Sequence, residues 1–296
     1  MKRINVRGFE ETYFDGQHLT LSDLKREKIE HKYLFNSNIA AYPESVELHG
    51  EKVCHVTGRG GLEGIFMDLG FRQTSDTSHF LWWELSITTD EICSAEQRFP
   101  TPLLPLTHNQ LPFLQYFTSK AFQKESPYGN FRFTLSIREL LYHYGNQFCP
   151  GNSPVLRVYE TVLYQQEILY TIVVHPRNIH CYDDYPRLPN FGEGVCGYAD
   201  GLIWWRCQSP SESYLHSLNV NWNKQYYVWD HVCLALHMEP GWVLHMDQDR
   251  LFKRVNVCEV SQRHLIKPPE TPLSLYEADN ILTNLKAGKG YAGVRD

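Results

Sequence analysis

His55, Val56 and Thr57 stand at the end of a short β-type run, Lys52 to Thr57 (KVCHVT), and Gly58 to Gly61 follow at once. An imidazole and a hydroxyl at a strand end, backed by a tight glycine turn, offer hydrogen-bond donors and acceptors of fixed direction on rigid backbone. The same residues also read as a satisfied strand-end histidine and a helix N-cap or turn threonine. Glu160 raises the next chemical question. Strict alternation puts it on the strand face of Leu156, Val158 and Val162, where a carboxylate needs a partner or a purpose, and Arg157 or Arg132 would neutralise it. Asp230 beside His231 has the look of an acid/base pair, but neighbours on a strand point to opposite faces. P-loop, dinucleotide G-x-G-x-x-G, H-E-x-x-H, G-x-S-x-G and protein-kinase signatures are all missing, which sets those enzyme classes aside. The 14 histidines have no metal-ligand spacing, and the 8 cysteines sit singly, as buried thiols in a reducing compartment would. No metal is expected.

These groups need elements to hold them. The glycine turn after Thr57 opens a helical stretch, Leu62 to Leu69, stopped by Gly70. Phe80 to Ile87 (FLWWELSI) is an apolar, aromatic strand that feeds a helix to about Phe99, with Thr88 and Glu91 at capping-box spacing. Prolines 100, 102, 105 and 112 mark a loop before a short amphipathic helix over Phe113 to Phe122. Phe131, Phe133 and Leu135 alternate with polar residues as a half-buried strand does, and Ser136 with Glu139 opens another capped helix. Val155 to Tyr164 and Ile168 to His175 are β-branched and aromatic runs, forming a hairpin or one long bent strand. Leu202 to Cys207 and Gln225 to Met238 supply further strands. The stretch from Lys267 is Pro-rich, then helical around Leu275 to Leu285, then Gly-rich. Asp23 to Lys32 reads as a short exposed helix with opposite charges three or four apart.

The bulk numbers agree with a chain that folds by itself: 296 residues, 42% hydrophobic and 21% charged, with 18 Tyr, 15 Phe and 7 Trp. A net charge of −6 and no long Lys/Arg run disfavour a continuous phosphate-binding stripe. No apolar stretch reaches the roughly 18 residues of a membrane span, and the start lacks an apolar core of signal-peptide length. The expected location is cytoplasmic or nuclear.

VCHVTGRGGLEGIFMDLGF resembles the first strand and helix of ADP-ribosyltransferases of the PARP and DarT types, which read H-x-T or H-x-S, a short loop, L-x-x-I, then a glycine and an aromatic residue. The resemblance covers roughly residues 51–176. It implies that His55 bonds the nicotinamide ribose of NAD and that Thr57 and Gly58 help seat the nicotinamide. The family places a glutamate at the start of a late strand, and Glu167, opening EILYTIVVH, is its counterpart, with Glu160 the rival. Such a carboxylate bonds the ribose 2′-hydroxyl and stabilises the cationic centre formed as nicotinamide leaves. An aromatic residue stacking on nicotinamide would be Trp82 or Trp83, where the family more often has tyrosine, or Tyr128.

The resulting expectation is an α+β domain: a split, mostly antiparallel sheet with flanking helices, a central cleft and a β-rich C-terminal extension. Residues 1–50 form an N-terminal extension, 51–266 the single catalytic-like domain and 267–296 a tail. The implied activity is transfer of ADP-ribose from NAD to an unknown acceptor, protein or nucleic acid, or hydrolysis of NAD. The alternative is a module that binds a nucleotide, ADP-ribose or a protein without turnover.

Overall fold

A computed structural model describes residues 1–5, 8, 10–17, 46–73, 79–97, 125–164, 167–188, 194, 196–207, 231–260 and 271–288. The expected helices over 23–32 and 113–122, and Asp230, lie outside them. Among the described residues the fold is α+β and mostly antiparallel. Its main sheet has nine strands: β1 (Lys2–Ile4), β2 (Glu10–Asp15), β4 (Lys52–Thr57), β6 (Phe80–Ser86), β8 (Phe131–Ser136), β9 (Val155–Tyr164), β10 (Glu167–His175), β13 (His231–His237) and β15 (Val255–Val257). Their spatial order is β1-β2-β9-β10-β13-β6-β4-β8-β15, and only β10 and β13 run parallel within it. A second sheet, β11-β12-β3, joins β11 (Cys196–Ala199), β12 (Leu202–Cys207) and β3 (Val46–Gly50). Two short pairs complete the strands: β5 (Gly70–Phe71) with β14 (Leu244–His245), and β7 (Glu125–Ser126) with β16 (Glu259–Val260). The hairpin reading of the middle of the chain holds, because Glu167 pairs with Tyr164 across a two-residue connection. Residues 1–50 supply β1 and β2 to the main sheet and β3 to the small one.

Period-2 alternation separates the two faces of the main sheet. Val53, Trp83, Leu85, Phe133, Ile172 and Leu234 turn to one face and belong to the principal core. Helices cover it. In α1 (Arg59–Asp68) the buried residues Leu62, Ile65 and Phe66 share one side, and the helix ends where Leu69 turns left-handed at φ 50° and bonds back to Ile65 O. Helix α3 (Ile137–Phe148) buries Ile137, Leu140, Leu141 and Tyr144, a 3.6-residue stripe, each contributing about 1.5–3 kcal/mol of burial. Both expected caps form. In α2 (Thr89–Gln97) Thr88 and Glu91 bond reciprocally, as a full capping box. For α3, Ser136 Oγ accepts from Glu139 N, but the Glu139 carboxylate turns away to Arg254. Helix α4 (Gln248–Arg254) starts on Asp247, and α5 (Leu275–Gly288) brings Ala278 and Leu282 into the same core, so part of the expected tail packs with the domain.

Candidate functional site

The ladder between β4 and β6 runs Lys52 with Ser86, Val53 with Leu85 and Cys54 with Glu84, and then ends. Neither strand stops there. β4 continues on β8 through His55, Val56 and Thr57, while β6 is paired with β13 from Phe80 onward. The main sheet therefore parts between His55–Thr57 and Phe80–Trp83. His55 reaches over the gap: its Nδ1 lies 2.8 Å from the Trp82 carbonyl, which can only accept, so Nδ1 carries the proton. Nε2 is then a bare acceptor, with no hydrogen-bond partner among the described residues. The half-buried ring packs edgewise on Phe71 at 5.3 Å and near Trp83 at 5.5 Å. Burial lowers the His55 pKa, against an opposing pull from the Trp82 carbonyl and Glu84, so the ring is neutral at pH 7.

Thr57 and Gly58 are fixed by close packing. Thr57 Oγ1 would sit 1.8 Å from a Cβ on Gly61, and a Cβ on Gly129 would meet the Thr57 carbonyl at 2.3 Å. Only glycine fits at either place, and Gly129 also has φ 149°. The N-cap of α1 is Gly58, without a side-chain cap and without an acidic residue in the first turn. Of the two structural readings of Thr57, helix N-cap or turn residue, the N-cap position goes to its neighbour Gly58. Among the described residues no side chain caps this helix start, which leaves its partial positive charge exposed.

The other proposed residues are dispersed. Trp83 is wholly buried in the core, and Trp82 is half-buried on the opposite face, against Phe80 at 5.5 Å. Tyr128 packs on Cys54, Val56 and Cys258, on the far side of β4 from the His55 ring. Glu167 opens β10, four positions before Thr171, which shares one rung with Cys233, Glu84 and Cys54. His55 lies beyond that rung in the other direction. With β13 and β6 intervening, strand spacings put the two backbones roughly 20 Å apart.

The same rung brings Glu160 into line with polar groups that the sequence did not single out. On the face opposite the core, Asp15, Glu160, Thr171, Cys233, Glu84, Cys54 and Thr134 are aligned across seven strands. Glu84 and Arg132 are each 6% exposed, and Arg132 Nη2 donates to Ser86 Oγ at 3.2 Å, spanning β4 from β8 to β6 just below the parting. Burial pushes the Cys54 thiol up to about 12 despite Arg132. Polar positions in FLWWELS and FRFTLS read as solvent-facing by alternation, yet Glu84, Ser86 and Arg132 are enclosed. Glu160 also departs from expectation. A bulge at Tyr159 shifts the register between Thr171 and Ile172, so Glu160 faces Thr171 rather than the core side of Val158. Its cation is Arg3, at 3.6 Å. Arg157 is engaged with Asp183 at 2.9 Å and His175 at 3.1 Å. Among the described residues no three His, Cys, Asp or Glu side chains converge to hold a metal, and no helix is long and apolar enough to cross a membrane.

No family model, no curated protein and no solved structure matches the chain.

Proposed function

We propose that the parting between β4 and β6 is a cleft that binds a nucleotide of the NAD or ADP-ribose class. The observation that carries this reading is the neutral His55, locked by the Trp82 carbonyl with Nε2 presented as an unpaired acceptor beside the uncapped start of α1. A ribose hydroxyl donates to such a nitrogen, and phosphate oxygens suit a helix start of glycines. None of the three aromatic candidates joins His55 there: Trp83 is closed inside the core, and Trp82 and Tyr128 lie on the opposite face of the sheet. Gly58 and Thr57 would line the turn.

Binding without turnover is favoured over ADP-ribose transfer, because Glu167 stands on the far side of the central rung from His55. Transfer needs an ionised carboxylate against the ribose as nicotinamide departs. The test is isothermal titration with NAD and with ADP-ribose, alongside chromatography for released nicotinamide. Saturable binding that falls about tenfold or more in His55→Ala, with no release, is the expected result. Release that disappears in Glu167→Gln would put the transferase or hydrolase reading first, and absence of any binding would overturn the nucleotide site.

A further inference from the structure

The outer edge of the main sheet is closed by β1, three residues long and exposed throughout. It lies antiparallel on β2, with Arg3 opposite Glu11 and Ile4 opposite Glu10. So short a strand is held by few backbone bonds, and its side chains explain why it stays. Lys2 Nζ lies 2.8 Å from Glu10, both exposed. Arg3 is held more firmly: Nε donates to Glu11 Oε1 at 2.5 Å, Nη1 is 3.6 Å from Glu160, and the guanidinium carbon stands 3.9 Å over the Tyr13 ring.

The receiving groups belong to the sheet, whereas Arg3 belongs to its margin. Side-chain exposure is 6% for Glu11 and 13% for Glu160 but 41% for Arg3. Asn5 also donates to Glu11, at 3.3 Å, and Asp15, opposite Glu160 in the ladder, accepts from the Tyr13 hydroxyl at 3.0 Å. Without Arg3, two enclosed carboxylates would lose the guanidinium that neutralises them, a costly state that any replacement arginine relieves. An exposed sheet edge already templates strand pairing.

We propose that the outer edge of β2 is a strand-addition site for an extended, arginine-bearing peptide of a partner protein, occupied in the free chain by β1. The partner's backbone would pair with β2, and its arginine would take the place of Arg3 between Glu11 and Glu160, flat against Tyr13. Lysine cannot fork between two carboxylates or stack in the same way, so arginine is the residue read.

The test is fluorescence anisotropy with a labelled neutral peptide carrying a single central arginine between β-branched residues. It is run against the full chain and its Arg3→Ala and Arg3→Lys forms. Arg3→Ala should bind about tenfold more tightly than the unsubstituted chain, because the competing guanidinium is gone. Arg3→Lys, which keeps the charge and the strand, should fall between and preserves the test should Arg3→Ala unfold. Adding Glu11→Gln should remove the gain, and a lysine-for-arginine peptide should bind more weakly. The proposal is overturned if both Arg3 variants bind no better than the parent, if Glu11→Gln leaves binding intact, or if Arg3→Ala elutes as a dimer, which gives the edge to a second copy.

Discussion

Trp82 and Trp83 are neighbours on one strand and live in different solvents. Trp83 is fully enclosed among Phe71, Phe133 and Leu234 on the helix-covered face, while Trp82 is half-buried beside Phe80 on a face that also carries Glu84, Arg132, Thr171 and Glu160. One face is closed by apolar packing, and the other encloses charge. The contrast shows that burial alone does not define a core. The helix face buries mostly apolar side chains with a few isolated polar atoms, and the opposite face buries charged groups that must be answered.

The largest expected effect is on the helix face. Trp83→Ala should cost about 3–5 kcal/mol, and Trp82→Ala clearly less, measured by urea unfolding of both; equal losses would erase the distinction. Next comes the backbone contact that fixes Thr57. Gly129→Ala should destabilise by about 2–3 kcal/mol, from its φ of 149° and the 2.3 Å approach to Thr57. Gly64→Ala, with open space around its Cβ, should stabilise α1 by about 0.5–1 kcal/mol. A third effect concerns pH. His55, His143 and His175 are all lowered by burial, so the unfolded chain takes up protons before the folded one does. Their contribution is complete above the ordinary histidine pKa of about 6.5 and is lost as pH falls through the lowered values. Urea midpoints should therefore drop between pH 7 and pH 5, and His55→Asn, which can keep the bond to Trp82, should shallow that drop. The smallest effect pairs two enclosed threonines whose Oγ1 atoms have no partner among the described residues, Thr161 opposite Tyr170 on the core face and Thr171 opposite Glu160 on the polar face. Valine at either should change stability by no more than about 1 kcal/mol, and a larger loss at 171 alone would show its hydroxyl to be engaged.

Much of the local structure was legible in the residues. KVCHVT and FLWWELS carry strand patterns, Thr88 with Glu91 forms the box that its spacing announces, and the Val155 to His175 run folds as a hairpin. Pairings between distant segments were not legible, because strand alternation fixes which residues share a face and says nothing of which strand lies alongside. Alternation also misplaced Glu160, since a one-residue bulge at Tyr159 has no signature in VLRVYETVLY. Of the candidate site, His55, Thr57 and Gly58 do stand together, whereas Glu167 was drawn in by its motif and register separates it. Glu84 escaped notice, and Arg132 entered only as a partner for Glu160, because a charged residue at an outward position looks the same whether water or protein covers it.

The place of β13 has a consequence for how the chain is made. It sits between β10 and β6, yet it is translated after both, more than 50 residues beyond the end of β10. Until His237 has left the ribosome the two halves of the sheet have no common strand, and β10 and β6 each present a bare edge. The central joint of this fold is thus closed late in synthesis. The nascent chain passes through a long interval in which its most apolar strands are the ones most open to the wrong neighbour.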